Sequence, residues 1–300
     1  MKKSIALVAM AFGVTSAFAQ DLTSKKGEPF LPEAGDYAIG IDANPFLNYV
    51  GNFFGKQNNN TAPTWGFANN NFTITGKKFK DATNAYRASV RLGFDNASTK
   101  TETADRASTS AVTYPALPAM VTNKYSHSNT NIAVSVGIEK RRGKTRLQGV
   151  YGAEAGISYG SSKDKYTYGN ALAASGTVVN VSAAGDGMNG NANITTDTYG
   201  NAARVTVKKS GATFGIGVRG FVGAEYFVAP KVSIGGEFGW GIGFSMTGAS
   251  KTTTESIGGA TPAVGTQEVK GGKSSGFGFD TDNRNALFGP SASLRLNLHF

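Results

Sequence analysis

From Phe288 to the C-terminus the chain alternates without a break. Phe288, Pro290, Ala292, Leu294, Leu296, Leu298 and Phe300 put apolar side chains at every second position, with Gly289, Ser291, Ser293, Arg295, Asn297 and His299 between them. Period two is the mark of a strand. The stretch before it behaves alike: Val232, Ile234, Gly236, Phe238, Trp240, Ile242, Phe244 and Met246 share one face, and Ser233, Gly235, Glu237, Gly239, Gly241, Gly243 and Ser245 the other. Strands of soluble proteins average about five or six residues. Alternation carried through some thirteen to fifteen positions is expected of a tilted strand that crosses a bilayer, apolar side to lipid and polar side to a lumen.

Six further stretches carry the same pattern. Going backward, they centre on Phe214–Tyr226, Arg146–Tyr159, Ile132–Ile138, Tyr86–Phe94, Phe72–Gly76 and Tyr37–Ala43, which makes eight strands. An arginine or lysine on the lipid face near the midplane costs about 2 to 4 kcal/mol, so charges within the strands should all share the polar phase. Asp42, Arg87, Arg91, Glu139, Arg146, Glu154, Arg219, Glu225, Glu237 and Arg295 do. The connections alternate in length. Long loops are expected at 44–69, 95–130, 160–210 and 247–284, and short turns at 78–84, 140–144 and 229–231. The sequence thus predicts an all-β fold, a closed antiparallel transmembrane up-and-down β-barrel of about eight strands, with both termini on one side.

Composition narrows the remaining choices. Forty glycines and a charged fraction of only 17% fit a strand-rich chain better than a coiled coil or a charged disordered one. The absence of cysteine removes disulfide scaffolds and thiolate chemistry. At the N-terminus, Lys2 and Lys3 precede an apolar run from Ile5 to Val14 and then Ala17-Phe18-Ala19, which reads as a secretory signal peptide cleaved after Ala19. The expected organisation is a leader over 1–19, a periplasmic segment over 20–35 and the barrel over 36–300, in the outer membrane of the cell.

These residues carry a resemblance. Leu294, Leu296, Leu298 and terminal Phe300 resemble the C-terminal signature of bacterial outer-membrane proteins. That resemblance implies that Leu296, Leu298 and Phe300 are read by the barrel-insertion machinery. The plan of eight strands and four long loops resembles the small barrels of the OmpA, OmpX and OmpW type. The segments Lys26–Gly35 and Asp42–Tyr49 are similar to outer-membrane barrels of Bacteroidota.

An eight-stranded lumen is just wide enough for its own side chains, and five inward acids stand against five inward arginines. A salt-bridged plug is expected, with charges lining a hydrated channel as the alternative. No catalytic, cofactor-binding or metal-binding set is expected. Gly215–Gly220 matches GxGxxG, but its glycines fall inside an alternating strand. His127, Ser128 and Glu139 resemble the residues of lipid A deacylases, yet adjacent positions on a strand point to opposite faces. The net charge of +10 is divided between the lumen and the short turns, where Lys77, Lys78, Lys80, Lys140, Arg141, Arg142 and Lys144 are expected to face the periplasm, so no nucleic-acid partner follows. Asn44–Phe54 and Tyr114–Val121 are apolar enough to cap the mouth or meet a protein partner. The expected role is structural or surface interaction, with outer-membrane lipids and lipopolysaccharide as surroundings. A narrow channel for small or hydrophobic solutes is the alternative.

Overall fold

The computed structural model describes residues 22–55, 74–108, 112–173, 187–280 and 292–300. The leader, Phe72 and the first residues of the last alternating stretch lie outside the described residues. The elements in chain order are β1 (Tyr37–Asp42), α1 (Asn44–Phe54), β2 (Ile74–Asp81), β3 (Asn84–Ala104), β4 (Met120–Arg142), β5 (Leu147–Thr167), β6 (Ile194–Thr196) and β7 (Ala202–Lys209). They continue with β8 (Thr213–Ala229), β9 (Val232–Thr247), β10 (Lys251–Gly258), β11 (Ala263–Lys270), β12 (Ser274–Asp280) and β13 (Ala292–His299).

Eight of these strands form a ring. β1 pairs with β2, β2 with β3, β3 with β4, β4 with β5, β5 with β8, β8 with β9, β9 with β13, and β13 returns to β1, all antiparallel. The register shows how the ring is sheared. Opposite neighbours lead from Leu298 through Ile39, Gly76, Ala88, Val136, Ala155 and Val218 to Ile242 on β9, whereas Leu298 itself faces Val232. The ten-residue offset, spread over eight strands about 4.7 Å apart with about 3.3 Å per residue, tilts the strands by about 40°.

The described residues form thirteen strands rather than eight. The expected long loops at 95–130 and 247–284 are largely strand, and that at 160–210 carries strand at both ends: β3, β4 and β5 run on well past the ring, and β7, β10 and β11 extend the same wall beside them. Lys251–Gly258 among them is rich in Thr and Ser and has no apolar face for the sequence pattern to reveal. Threonine nonetheless favours pleated structure through its β-branch.

Ring and upper sheet meet along a seam. Ser210–Ala212 interrupts β7 and β8, Gly248–Ser250 interrupts β9 and β10, and Gly271–Lys273 interrupts β11 and β12 at the same level. Hydrogen bonds from the Ser210 amide to the Ser162 carbonyl, the Gly248 amide to the Ala212 carbonyl and the Gly271 amide to the Ser250 carbonyl hold the seam together. A Cβ on Gly211 would strike the carbonyl oxygen of Gly248, so this crossing needs glycine. Above the seam, Tyr166, Met188 and Val205 make a small core with Tyr125 and Tyr168.

Below it the usual arrangement is inverted. Outward Val136, Ile157 and Ile216 are 60%, 61% and 58% exposed, while inward Arg87, Glu139 and Glu225 are 3%, 1% and 1% exposed. The three short connections fall where expected; the last of them turns at Lys231 with a φ of 61°. Two expectations for the apolar segments fail. Asn44–Phe54 is a helix rather than a loop, with proline in its first turn where the missing amide costs nothing. Tyr114 and Leu117 are almost fully exposed and do not cap the mouth.

Candidate functional site

The ring interior is built of two linked knots of charge. In the first, Glu237 on β9 accepts hydrogen bonds from Arg87 Nη1 and Nη2 at 2.8 and 3.0 Å, from Arg219 Nη1 at 3.0 Å and from Arg295 Nη2 at 3.3 Å. Glu154 on β5 accepts from Arg219 at 2.9 Å and lies 3.1 Å from Arg87 Nε. In the second, Glu139 accepts from Lys77 at 2.9 Å, and Glu225 accepts from Arg141 at 2.8 Å and Asn297 Nδ2 at 2.9 Å. Ser233 also donates to Glu225, whose carboxylate lies 3.2 Å from His299 Nε2. Arg87 joins the knots, with Nη1 3.7 Å from Glu139.

Glycine makes room for this. Across the sheet, Arg87 stands opposite Gly137, which stands opposite Glu154; Glu154 then faces Arg219, and Arg219 faces Gly241. A Cβ on Gly239 would overlap the Arg219 guanidinium. Long ionised side chains therefore occupy the volume that neighbouring strands leave empty. This accounts for glycine at four of the seven inward positions of β9, Gly235, Gly239, Gly241 and Gly243.

Aromatic rings close the end nearer the termini. Phe79, Phe221 and Phe227 are buried. The Arg141 guanidinium lies 5.2 Å from the Phe79 ring and 5.5 Å from the Phe227 ring, and Arg87 lies 4.2 Å from Phe221. Below them the 22–36 segment folds back: the Gly35 amide donates to Phe79, and Phe30 packs 3.6 Å from the Arg146 guanidinium. Asp36 is 2.6 Å from Lys231. Burial pushes the Asp36 carboxyl up, but hydrogen bonds from Lys231 and the Glu33 amide outweigh it and leave it below its usual value.

At the other end the interior opens into a polar vestibule of about 640 Å³, with Arg91 at its base and Asn131, Ser158, Asp164 and Lys208 among its walls. At the rim, Asp164 accepts from the Tyr125 hydroxyl at 2.8 Å and lies 2.7 Å from His127 Nδ1. Burial first, and then Asp164, push the Tyr125 phenol up to about 12.

Of the ten residues expected to face inward, Arg87, Glu139, Glu154, Arg219, Glu225, Glu237 and Arg295 meet in the knots. Asp42 stands opposite Arg295 across the β1 and β13 pair. Arg91 belongs to the vestibule, and Arg146 to the floor. The expectation that Lys77 and Arg141 sit in exposed turns is wrong, since both are buried in the second knot. Their phase was the missed signal: Lys77 is two residues from Thr75, and Arg141 two from Glu139, both inward. Leu298 and Phe300 are outward and exposed, and Phe300 stacks on Tyr37 with ring centroids 6.2 Å apart. His127 and Ser128 point to opposite faces of β4, with Glu139 eleven or twelve residues along the strand, so the three do not meet. No protein-family model, curated protein or solved structure matches this chain.

Proposed function

We propose that this chain is an integral β-barrel of a Gram-negative outer membrane, closed inside by its own charged side chains, and that it serves envelope structure or surface interaction rather than catalysis. The observation that carries this reading is the inversion of the ring. A protein dissolved in water rarely exposes more than a few hundred Å² of contiguous apolar surface, and buries arginine and glutamate only when they are paired; here seven of the eight ring strands turn an apolar face out, β2 alone adding Lys78 and Lys80 to outward Ile74 and Gly76. The height agrees as well. Leu147 to Tyr159 on β5 is twelve residue steps, about 40 Å along the strand and about 30 Å along the axis at the tilt given above, close to the roughly 25 Å apolar band of such barrels.

The termini and the three short turns then lie on the periplasmic side after cleavage behind Ala19, and the upper sheet projects outward. Outer-membrane lipids and lipopolysaccharide surround the band, the insertion machinery reads Leu296, Leu298 and Phe300, and the upper sheet is the place for an envelope or surface protein partner. Arg87, which crosses the lumen from β3 to reach Glu237, and Arg219 and Arg295, which reach it from the neighbouring strands β8 and β13, count against the alternative of a narrow channel for small or hydrophobic solutes. Recordings from the protein in planar bilayers should show no steady conductance, whereas sustained openings of porin size would overturn the closed-lumen reading. Migration on gels that does not change with heating would count against the barrel itself.

A further inference from the structure

A row of lysines crosses the outer face just above the apolar band. Lys163 on β5 stands directly opposite Lys209 on β7, Lys209 opposite Lys251 on β10, and Lys251 opposite Lys270 on β11. Strands in a sheet lie about 4.7 to 4.9 Å apart, so four ammonium-bearing residues fall within about 15 Å. Lys165, two residues from Lys163, faces the same way. The acid among them is Glu268, 3.0 Å from Lys251. Its carboxyl is lowered first by the hydrogen bond from Lys251 and also by the charges of Lys251, Lys270 and Lys209, which marks the group as one cationic cluster. Like charges directly opposite one another destabilise a sheet, and a run of four calls for an anion.

The same face supplies a second feature directly beneath. Tyr159 is four residues from Lys163 on β5, hence on the same side and about 13 Å away along the strand. It lies against Phe214 with ring centroids 5.0 Å apart. With Ile132, Ile157, Ile216 and Phe244 these rings line an apolar groove of about 380 Å³ across β4, β5, β8 and β9. Lysine stems can bend back toward such a groove while the charged head stays in water.

The geometry points to a site for one phosphate-bearing lipid, an acyl chain lying in the groove between Tyr159 and Phe244 and the phosphate held by Lys163, Lys209 and Lys251. This inference rests on the membrane reading above and adds to it a preference for one class of lipid. Neither a groove without the lysines nor the lysines without the groove would select a lipid anion.

Trp240 lies on the outward face of β9, four residues from Phe244, and reports on the groove. In a Trp65→Phe background, the refolded full chain is placed in phosphatidylcholine vesicles that carry a small fraction of tail-brominated lipid, either phosphatidylglycerol or phosphatidylcholine. Brominated phosphatidylglycerol should quench Trp240 at a lower fraction than brominated phosphatidylcholine, with a preference on the order of five-fold for each lysine engaged. The preference should vanish in Lys163→Gln/Lys209→Gln/Lys251→Gln/Lys270→Gln, whose positions are too exposed to threaten folding. Equal quenching by the two lipids, a preference that survives in the quadruple variant, or suppression of the preference by millimolar inorganic phosphate would each overturn the lipid site. Flotation of the protein with both vesicle types keeps that failure separate, because a protein that does not float would defeat the membrane reading instead.

Discussion

Replacing Glu237 by glutamine removes one negative charge and leaves the shape of the lumen almost unchanged. Three guanidinium groups lose a carboxylate at once: Arg87, held by a two-pronged contact at 2.8 and 3.0 Å, Arg219 at 3.0 Å and Arg295 at 3.3 Å. Glu154 still faces Arg87 and Arg219, so the loss is partial for those two. If the knot is as dry as its burial indicates, with Arg87 1% and Glu237 8% exposed in their side chains, the deficit should fall in the range for breaking a buried pair, about 3 to 5 kcal/mol. A hydrated lumen would screen the same contacts, and the loss would then resemble that of exposed pairs, about 0 to 1 kcal/mol. The two values are far enough apart to measure. Urea titration of the refolded protein in vesicles, followed by Trp fluorescence and by heat-modifiable migration, gives the difference directly. Adding Arg295→Gln to Glu237→Gln should restore part of the loss, because it removes a cation that the first change left in excess. A loss below about 1 kcal/mol, or a double variant no better than the single one, would refute the reasoning that the lumen is closed by buried charge.

Two further outcomes follow from the geometry. Val218 is outward on β8 beside inward Arg219, so Val218→Arg should cost about 2 to 4 kcal/mol and lower the yield of the folded form in vesicles; wild-type yield would mean that this face does not meet lipid. In the turn after β2, the Thr83 hydroxyl and amide and the Asn84 amide group all donate to Asp81 and hold its carboxyl down to about 2. A carboxyl lowered by folding contributes stability that is fully present above its ordinary value of 3.8 and is lost as pH falls toward 2. Carboxyl carbon chemical shifts should titrate with a midpoint near 2 in the folded protein, and a midpoint at 3.8 would show that the turn does not engage Asp81.

The ring was legible because its outward face is apolar and its inward face polar at alternate positions along most of its strands. Strands such as Val232–Met246 show an apolar face over an unusually long run, and the phase of Arg219 or Glu237 follows from its neighbours. Where that pattern ends, so does the signal. β10 and β11 mix Thr, Ser, Gln, Lys and Glu into both phases and leave neither face wholly apolar, and their pairing comes from backbone hydrogen bonds and from continuation of the wall below. Lys77 and Arg141 were missed for a related reason. Each lies beside further cations, Lys78 and Lys80 in one case and Lys140 and Arg142 in the other, and a cluster of charge near a turn looks solvated unless alternate positions are read separately. The partners inside the knots could not be read at all, since they depend on how far each strand is shifted against the next.

That shift is where the charges matter beyond stability. Alternation fixes the face of every side chain, and a slip of one residue would turn a whole strand inside out. A slip of two residues keeps every face correct, so alternation cannot forbid it. The knots can, because Glu237 on β9 must meet arginines from β3, β8 and β13 together, and a two-residue slip carries it about 7 Å away. Exchanging Glu237 with Gly239 tests this at constant composition and constant phase. The Glu237→Gly/Gly239→Glu variant moves the carboxylate by two residues and puts a Cβ where the Arg219 guanidinium lies. If the ion pairs select the ten-residue offset, the variant should lose at least as much stability as Glu237→Gln and yield a mixture of slowly and rapidly migrating forms on unheated gels. If alternation alone sets the ring, the variant should fold to one form with stability close to that of the parent chain, and the charges would then be fillers of the lumen with no part in choosing its register.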